Sequence, residues 1–84
     1  MSDYNVLAKL RRSSIKIKIL KNLDEPKTAT DLKKILNVHR ESISRALIEM
    51  EKDGLVACAN PEQPNYRYYK LTSNTKKLVD KLNN

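Results

Sequence analysis

The sequence has no phenylalanine, no tryptophan, one cysteine, one histidine, one glycine and three prolines among 84 residues. Each shortage excludes something. A core without Phe or Trp must be built from Leu, Ile, Val, Met and Tyr. A chain this short buries only about 60% of its unfolded surface, so that core is small. The single cysteine, Cys58, closes no disulfide within the chain, which suits a reducing compartment. His39 and Cys58, far apart in sequence, make no metal site, and no cofactor is implied. There is no glycine-rich phosphate loop, no plausible carboxylate pair and no nucleophile beside a base, so catalysis is not expected. No apolar run is long enough for a membrane span or a signal peptide, and no lipidation motif is present. A single cytoplasmic domain over residues 1–84, without membrane attachment, is the expectation.

What is present is charge. Seventeen basic residues against ten acidic give a net charge of +7. That excess permits a polyanionic partner without requiring one.

The first segment, "DYNVLAKLRRSSIKIKILKNLDEP", stops at Asp24-Glu25-Pro26, because the residue before a proline is driven out of the helical region. Its centre, "IKIKI", alternates like a strand. At helical spacing Ile15, Ile19, Leu20 and Leu23 share a face and Ile17 is left over. Flanks with helical spacing and no turn residue favour helix. Ser13 or Ser14 either caps a second helix or sits inside one long bent one. In "KTATDLKKILNV", residues 28–30 suit a single strand bridge. Thr30 reads as a helix N-cap, with Asp31 at the positive end of the dipole. Ala29, Leu32, Ile35 and Leu36 then form the apolar stripe, and Asn37 suits the left-handed helix end.

"VHRESISRALIEMEKDGLV" carries Ile43, Ala46, Leu47 and Met50 at the spacing of one buried face. Asp53-Gly54 ends it, with the only glycine where a left-handed residue is wanted. Residues 55–59 read as a strand, "NPEQPN" as a stiff connection and "YRYYKL" as the returning strand. Thr72 or Ser73 caps a last helix edged by Leu78, Val79 and Leu82. The fold class is mainly α with a small β-hairpin, α+β overall.

The pattern "TATDLKKILNVHRESISRALIEMEKDGLV…YRYYKLT" resembles the winged helix-turn-helix transcription regulators of the MarR and ArsR type. The resemblance covers residues 15–82. It implies a helical extension over 1–14, a core over 15–72 with its wing at 55–71, and a C-terminal helix over 73–84. It also implies a DNA-binding regulator, repressor rather than activator, acting as a homodimer on double-stranded DNA.

The helical wheel supports this independently. With Ile43 buried, Glu41, Arg45 and Lys52 point nearly opposite, flanked by Arg40 and Ser44 on one side and Ser42 on the other. Such a face can enter a major groove by its N-terminal half. Arg40 and Arg45 reach a guanine edge or a phosphate. Ser42 and Ser44 donate to either, and Glu41 accepts from a cytosine amine or pairs with an arginine. His39 stands where the family has a Ser or Thr cap. Either Asn37 or Ser42 compensates, His39 faces the groove, or it is exposed without a role. Ile48 points outward with no assigned contact.

In the wing, Arg67 fits the minor groove or a flanking phosphate, Lys70 assists, and Glu62 opposes approach. Tyr66, Tyr68 and Tyr69 either form a stacking platform for unpaired bases, or Tyr69 packs inward with Leu71 and the other two cover the sheet. Lys16 and Thr30 are expected to touch the DNA backbone. Lys9, Arg11, Arg12, Lys18 and Lys21 serve either phosphate contact or solubility. Val6, Leu7, Leu10, Leu78, Val79 and Leu82 need burial that a monomer lacks and are the expected dimer interface. Cys58 reads either as a small buried residue or as a redox switch. The alternatives to a duplex-binding regulator are a winged helix used for protein contact and a single-strand binder using the wing tyrosines.

Overall fold

The computed structural model describes residues 14–82. Its elements are helices α1 (Ser14–Lys21), α2 (Ala29–Leu36) and α3 (Arg40–Lys52), strands β1 (Val56–Cys58) and β2 (Tyr69–Leu71), and helix α4 (Ser73–Leu82). The segment "IKIKI" is helical. Ile19, Leu20 and Leu23 are buried, and Ile15 and Ile17 pack at the margin of the core. Past α1, the Lys27 ammonium donates to Asn22 O at 2.6 Å and to Asp24 Oδ1 at 2.7 Å, closing the loop before Pro26. The Lys27 hydrogen bond, then its charge, holds the Asp24 carboxyl below the usual range.

The start of α2 differs from the sequence expectation. The N-cap is Thr28, not Thr30. Asp31 N donates to Thr28 Oγ1 at 3.0 Å, and Thr28 N donates to Asp31 Oδ2 at 3.1 Å. This is a reciprocal capping box with Asp in the place of the usual Glu. Thr30 lies inside the first turn. The strand bridge falls one residue earlier than expected, between Lys27 and Tyr69. Leu32 is buried, but Ile35 is 49% exposed, so the apolar stripe of α2 is narrower than its sequence implied. Asn37 ends the helix in the left-handed region, at φ 54° and ψ 49°.

Helix α3 buries Ile43, Ala46, Leu47 and Met50. It ends with Gly54 at φ 78°. Leu55 N donates to Met50 O at 2.8 Å and Gly54 N to Glu51 O at 3.1 Å. That pair of bonds is the Schellman closure, which needs a residue free to adopt positive φ. Strands β1 and β2 pair antiparallel in the register Val56–Leu71, Ala57–Lys70 and Cys58–Tyr69. Both are shorter than expected. Tyr66 sits at φ 56°, which breaks the extended run before β2 begins.

Helix α4 is entered through Thr72. Its N–H donates to Leu55 O at 3.2 Å and its hydroxyl to Gly54 O at 2.9 Å. Leu78 and Val79 are buried in the chain's own core. Val79 borders a shallow cleft shared with Leu20, Leu23 and Leu71, so α4 leans on α1 and β2. The expectation that Leu78 and Val79 require a second subunit is therefore corrected. Val6, Leu7, Leu10 and the side chain of Leu82 lie outside the described residues. Among those described, no helix is long and apolar enough to cross a membrane.

Candidate nucleic-acid interface

The core decides which way α3 faces. Burial of Ile43, Ala46, Leu47 and Met50 turns Arg40, Glu41, Ser42, Arg45 and Ile48 to solvent, with Ser44 half-buried. The left-handed residue Asn37 and the half-buried Val38 make the tight turn from α2 into α3. His39 is the N-cap, yet its side chain makes no capping hydrogen bond. Among the described residues, neither Asn37 nor Ser42 supplies a capping hydrogen bond in its place. His39 itself is exposed, beside Lys33, Asn37 and Val38.

Two surfaces meet at Arg40 and Ser44. One is an open shelf along α3, lined by Arg40, Glu41, Ser44, Arg45, Ile48 and Glu49. The other is a cleft of about 460 Å³ between the start of α2, α3 and the wing. Its walls include Thr28, Thr30, Arg40, Ser44, Asn65, Tyr66 and Arg67. The fold thus brings Thr30 of α2, Arg40 and Ser44 of α3, and Arg67 of the wing to one opening, three separate stretches of the chain. Two guanidinium groups and two hydroxyls around one opening form a surface suited to phosphate and base edges.

Among the described residues, neither Arg40 nor Arg45 is tied to a carboxylate by an ion pair. One nearby acid of α3 is already engaged: Lys16 Nζ lies 2.7 Å from Glu49 Oε2. That hydrogen bond, then the Lys16 charge, holds the Glu49 carboxyl below its ordinary range. Lys16, which the sequence reading placed on a DNA backbone, is paired with Glu49 here, and its side chain is 14% exposed. Lys70 is not part of the cleft either. Alternation along β2 turns Tyr69 and Leu71 inward and Lys70 to the opposite face, across from Ala57.

The wing is built around Asn60, a residue the sequence reading assigned no role. Its Oδ1 accepts from Tyr68 N at 2.8 Å, and its Nδ2 donates to Tyr66 O at 3.1 Å. Gln63 N donates to Asn60 O at 3.0 Å, and Arg67 Nε donates to Gln63 O at 3.3 Å. The loop is therefore held shut from inside, with the rest of the Arg67 guanidinium free to face the cleft. The signal was available, because asparagine at the start of a proline-containing loop commonly hydrogen-bonds neighbouring backbone. Tyr69 is buried, whereas Tyr66 and Tyr68 are 80% and 42% exposed. Cys58 is half-buried, with its Sγ 3.6 Å from Asn60 Oδ1.

A helical turn presenting an outward-facing third helix, flanked by a two-stranded wing, defines a winged helix-turn-helix domain of the MarR-like transcription-regulator type. Residues 4–82 match the family model for "Methanogenesis regulatory protein FilR1, N-terminal domain", and the chain belongs to that family. No curated protein matches the chain. Among solved structures, reduced HlyU from Vibrio cholerae is similar with a TM-score of 0.80 and 23% identity, over 95% of this chain and 84% of that one. The adhesin competence repressor AdcR from Streptococcus pyogenes has a TM-score of 0.75 and 22% identity, over 95% of this chain and 64% of its own. The MarR family transcription regulator SP03579 has a TM-score of 0.74 and 29% identity, over 88% and 52%. The chain therefore spans between half and two-thirds of the latter two regulators.

Proposed function

We propose that this chain is the DNA-binding unit of a transcription regulator, acting in the cytoplasm on specific double-stranded sites. In this reading α3 enters the major groove by its N-terminal half. Arg40 and Arg45 read base edges or grip phosphate, Ser42 and Ser44 donate to either, and Glu41 accepts from a cytosine amine. Thr30 and Arg67 hold the flanking backbone from the two walls of the cleft. The observation that carries the reading is the outward face of α3, where Arg40 and Arg45 stand exposed and the competing Glu49 is occupied by Lys16. The chain's family membership and the fold it shares with known regulators support the same reading.

Repression is the simplest outcome, since occupying a promoter demands no further surface, and one similar structure is that of a repressor. A homodimer reading a site with two-fold symmetry is part of the proposal, with half-sites about 34 Å apart. Its interface rests on Val6, Leu7, Leu10 and Leu82, since Leu78 and Val79 are inside the core. Sedimentation that finds only a monomer at tens of micromolar removes the dimer.

Selection of bound sequences from a random duplex pool tests the function. Recovery of a common site, with a log–log salt slope of about −5 for a dimer contacting roughly six phosphates, supports it. Absence of any retained duplex in dilute buffer overturns it. The exposure of Tyr66 and Tyr68 favours one second reading, a single-strand binder that stacks bases on these rings. Tighter binding of single strands than of the selected duplex favours that alternative.

A further inference from the structure

Ile48 is 61% exposed, a large aliphatic side chain standing in water on a helix that has a fully formed apolar face elsewhere. Its burial would be available one position away, at Leu47, so its exposure is set by its place on the helix. Glu41, Arg45 and Ile48 follow the i, i+4, i+7 spacing that lines residues up along one edge. The structure places Ile48 on the same shelf as Arg40, Glu41, Ser44 and Arg45. It is the apolar member of an otherwise polar row.

We propose that Ile48 is a specificity-determining residue that contacts the C5 methyl group of a pyrimidine in the major groove. The inference rests on the DNA-binding reading above and deepens it. The C5 methyl is the apolar feature that a base pair presents on the major-groove side, and apolar side chains pair with it there. Arg45 and Ile48 are separated by about 4.5 Å along the helix axis, close to the spacing of successive base pairs. Ile48 lies one turn beyond Arg45, so it sits at the inner end of the stretch that enters the groove, where it meets a base pair next to the one Arg45 reads. The methyl belongs to thymine in unmodified DNA and to 5-methylcytosine in modified DNA. The shelf recognises the shared group, an aliphatic contact beside charged neighbours. Glu49, the acid next to Ile48, borders the same shelf, and its carboxylate is paired with Lys16 of α1.

The test uses the 84-residue chain and the duplex selected from the random pool. Each thymine is replaced in turn by deoxyuridine, which removes only the methyl. The expected result is a loss of about fourfold in affinity at one position of the half-site, the weight of one buried methyl. In Ile48→Ala the same replacement changes nothing, and Ile48→Val retains part of the discrimination. Circular dichroism confirms that both variants keep the fold. If affinity responds instead to adding 5-methylcytosine, in the native chain but not in Ile48→Ala, the methyl contact stands with the modified base as its source. A selected duplex indifferent to every C5 methyl overturns the inference while leaving DNA binding intact. Equal methyl sensitivity in the native chain and Ile48→Ala also overturns it. If no duplex is selected at all, the DNA reading fails and this inference with it.

Discussion

Lys16 Nζ, on α1, and Glu49 Oε2, on α3, lie 2.7 Å apart, and the pair braces the first helix against the side of the third. It also engages Glu49, one of the two acids, with Glu41, that border the basic face of α3. Replacing Lys16 by Met keeps most of the buried stem and deletes the charge. The expected cost to stability is small, because the Glu49 end of the pair remains half in water. Urea unfolding measures this. Affinity for the selected duplex should change only through the freed Glu49 carboxylate, so Lys16→Met combined with Glu49→Gln restores native binding.

The acid response follows from three carboxyls: Asp24, which Lys27 holds low, Glu49 and Asp31. Glu49 is held below its ordinary range by the Lys16 hydrogen bond, then by its charge. Asp31 is held low first by the Thr28 backbone N–H, then by the Thr28 side chain. A carboxyl whose folded value is depressed contributes stability above its unfolded value, and that contribution disappears as pH falls through the folded one. Stability should therefore decline as pH falls through and below the ordinary carboxylate range. Glu49→Gln should flatten that decline in unfolding curves taken between neutral and acid pH. An unchanged acid limb would show that the pair is not formed in solution.

The two threonines at the start of α2 separate cleanly. Thr28→Ala deletes the cap and should cost about 1 kcal/mol of stability. Thr30→Ala should cost less than about 0.5 kcal/mol, since its side chain is exposed within the first turn. On the proposed interface the order reverses for DNA affinity, with Thr30→Ala weakening binding at unchanged stability. Thermal unfolding and a binding titration on both variants check this.

Arg45→Ala should abolish preference for the selected site, a loss of about ten- to a hundredfold, the weight of one bidentate base contact. Arg67→Ala should weaken specific and random duplexes alike and lower the salt slope by about 1 per half-site. Equal effects of both variants on both kinds of duplex would reject the division of roles.

Asn60 holds the wing loop from inside through Tyr66 O and Tyr68 N. Asn60→Ala should reduce DNA affinity by releasing Arg67 from its place at the cleft. Its effect and that of Arg67→Ala should then be non-additive, with a coupling of about 1 kcal/mol. Additive losses in the double variant would mean that the loop does not position the arginine.

Local features were legible where they depend on near neighbours. The buried stripe of α3, the glycine that ends it and the left-handed Asn37 all follow from a helical repeat and the steric freedom of particular backbones. The cap of α2 was misplaced by two residues because "TAT" offers two threonines at the right distance from Asp31 or next to it. The reciprocal bond between Thr28 and Asp31 distinguishes them, and that bond needs three-dimensional reach. Lys16 looked like a phosphate ligand because its partner Glu49 is far away in sequence. Leu78 and Val79 looked unburied because nothing local shows that α4 folds back onto α1 and β2.

Sequence alone determined the order of elements, the outward direction of Arg40 and Arg45, and the family pattern, since each is written in residue spacing along a single helix or turn. Tertiary structure decided which charges stay available, which apolar side chains the chain covers by itself, and that Thr30, Arg40, Ser44 and Arg67 share one cleft. The physical reason is that burial and ion pairing are properties of whatever packs across from a residue. Those partners come from other elements, and only the folded chain assigns them.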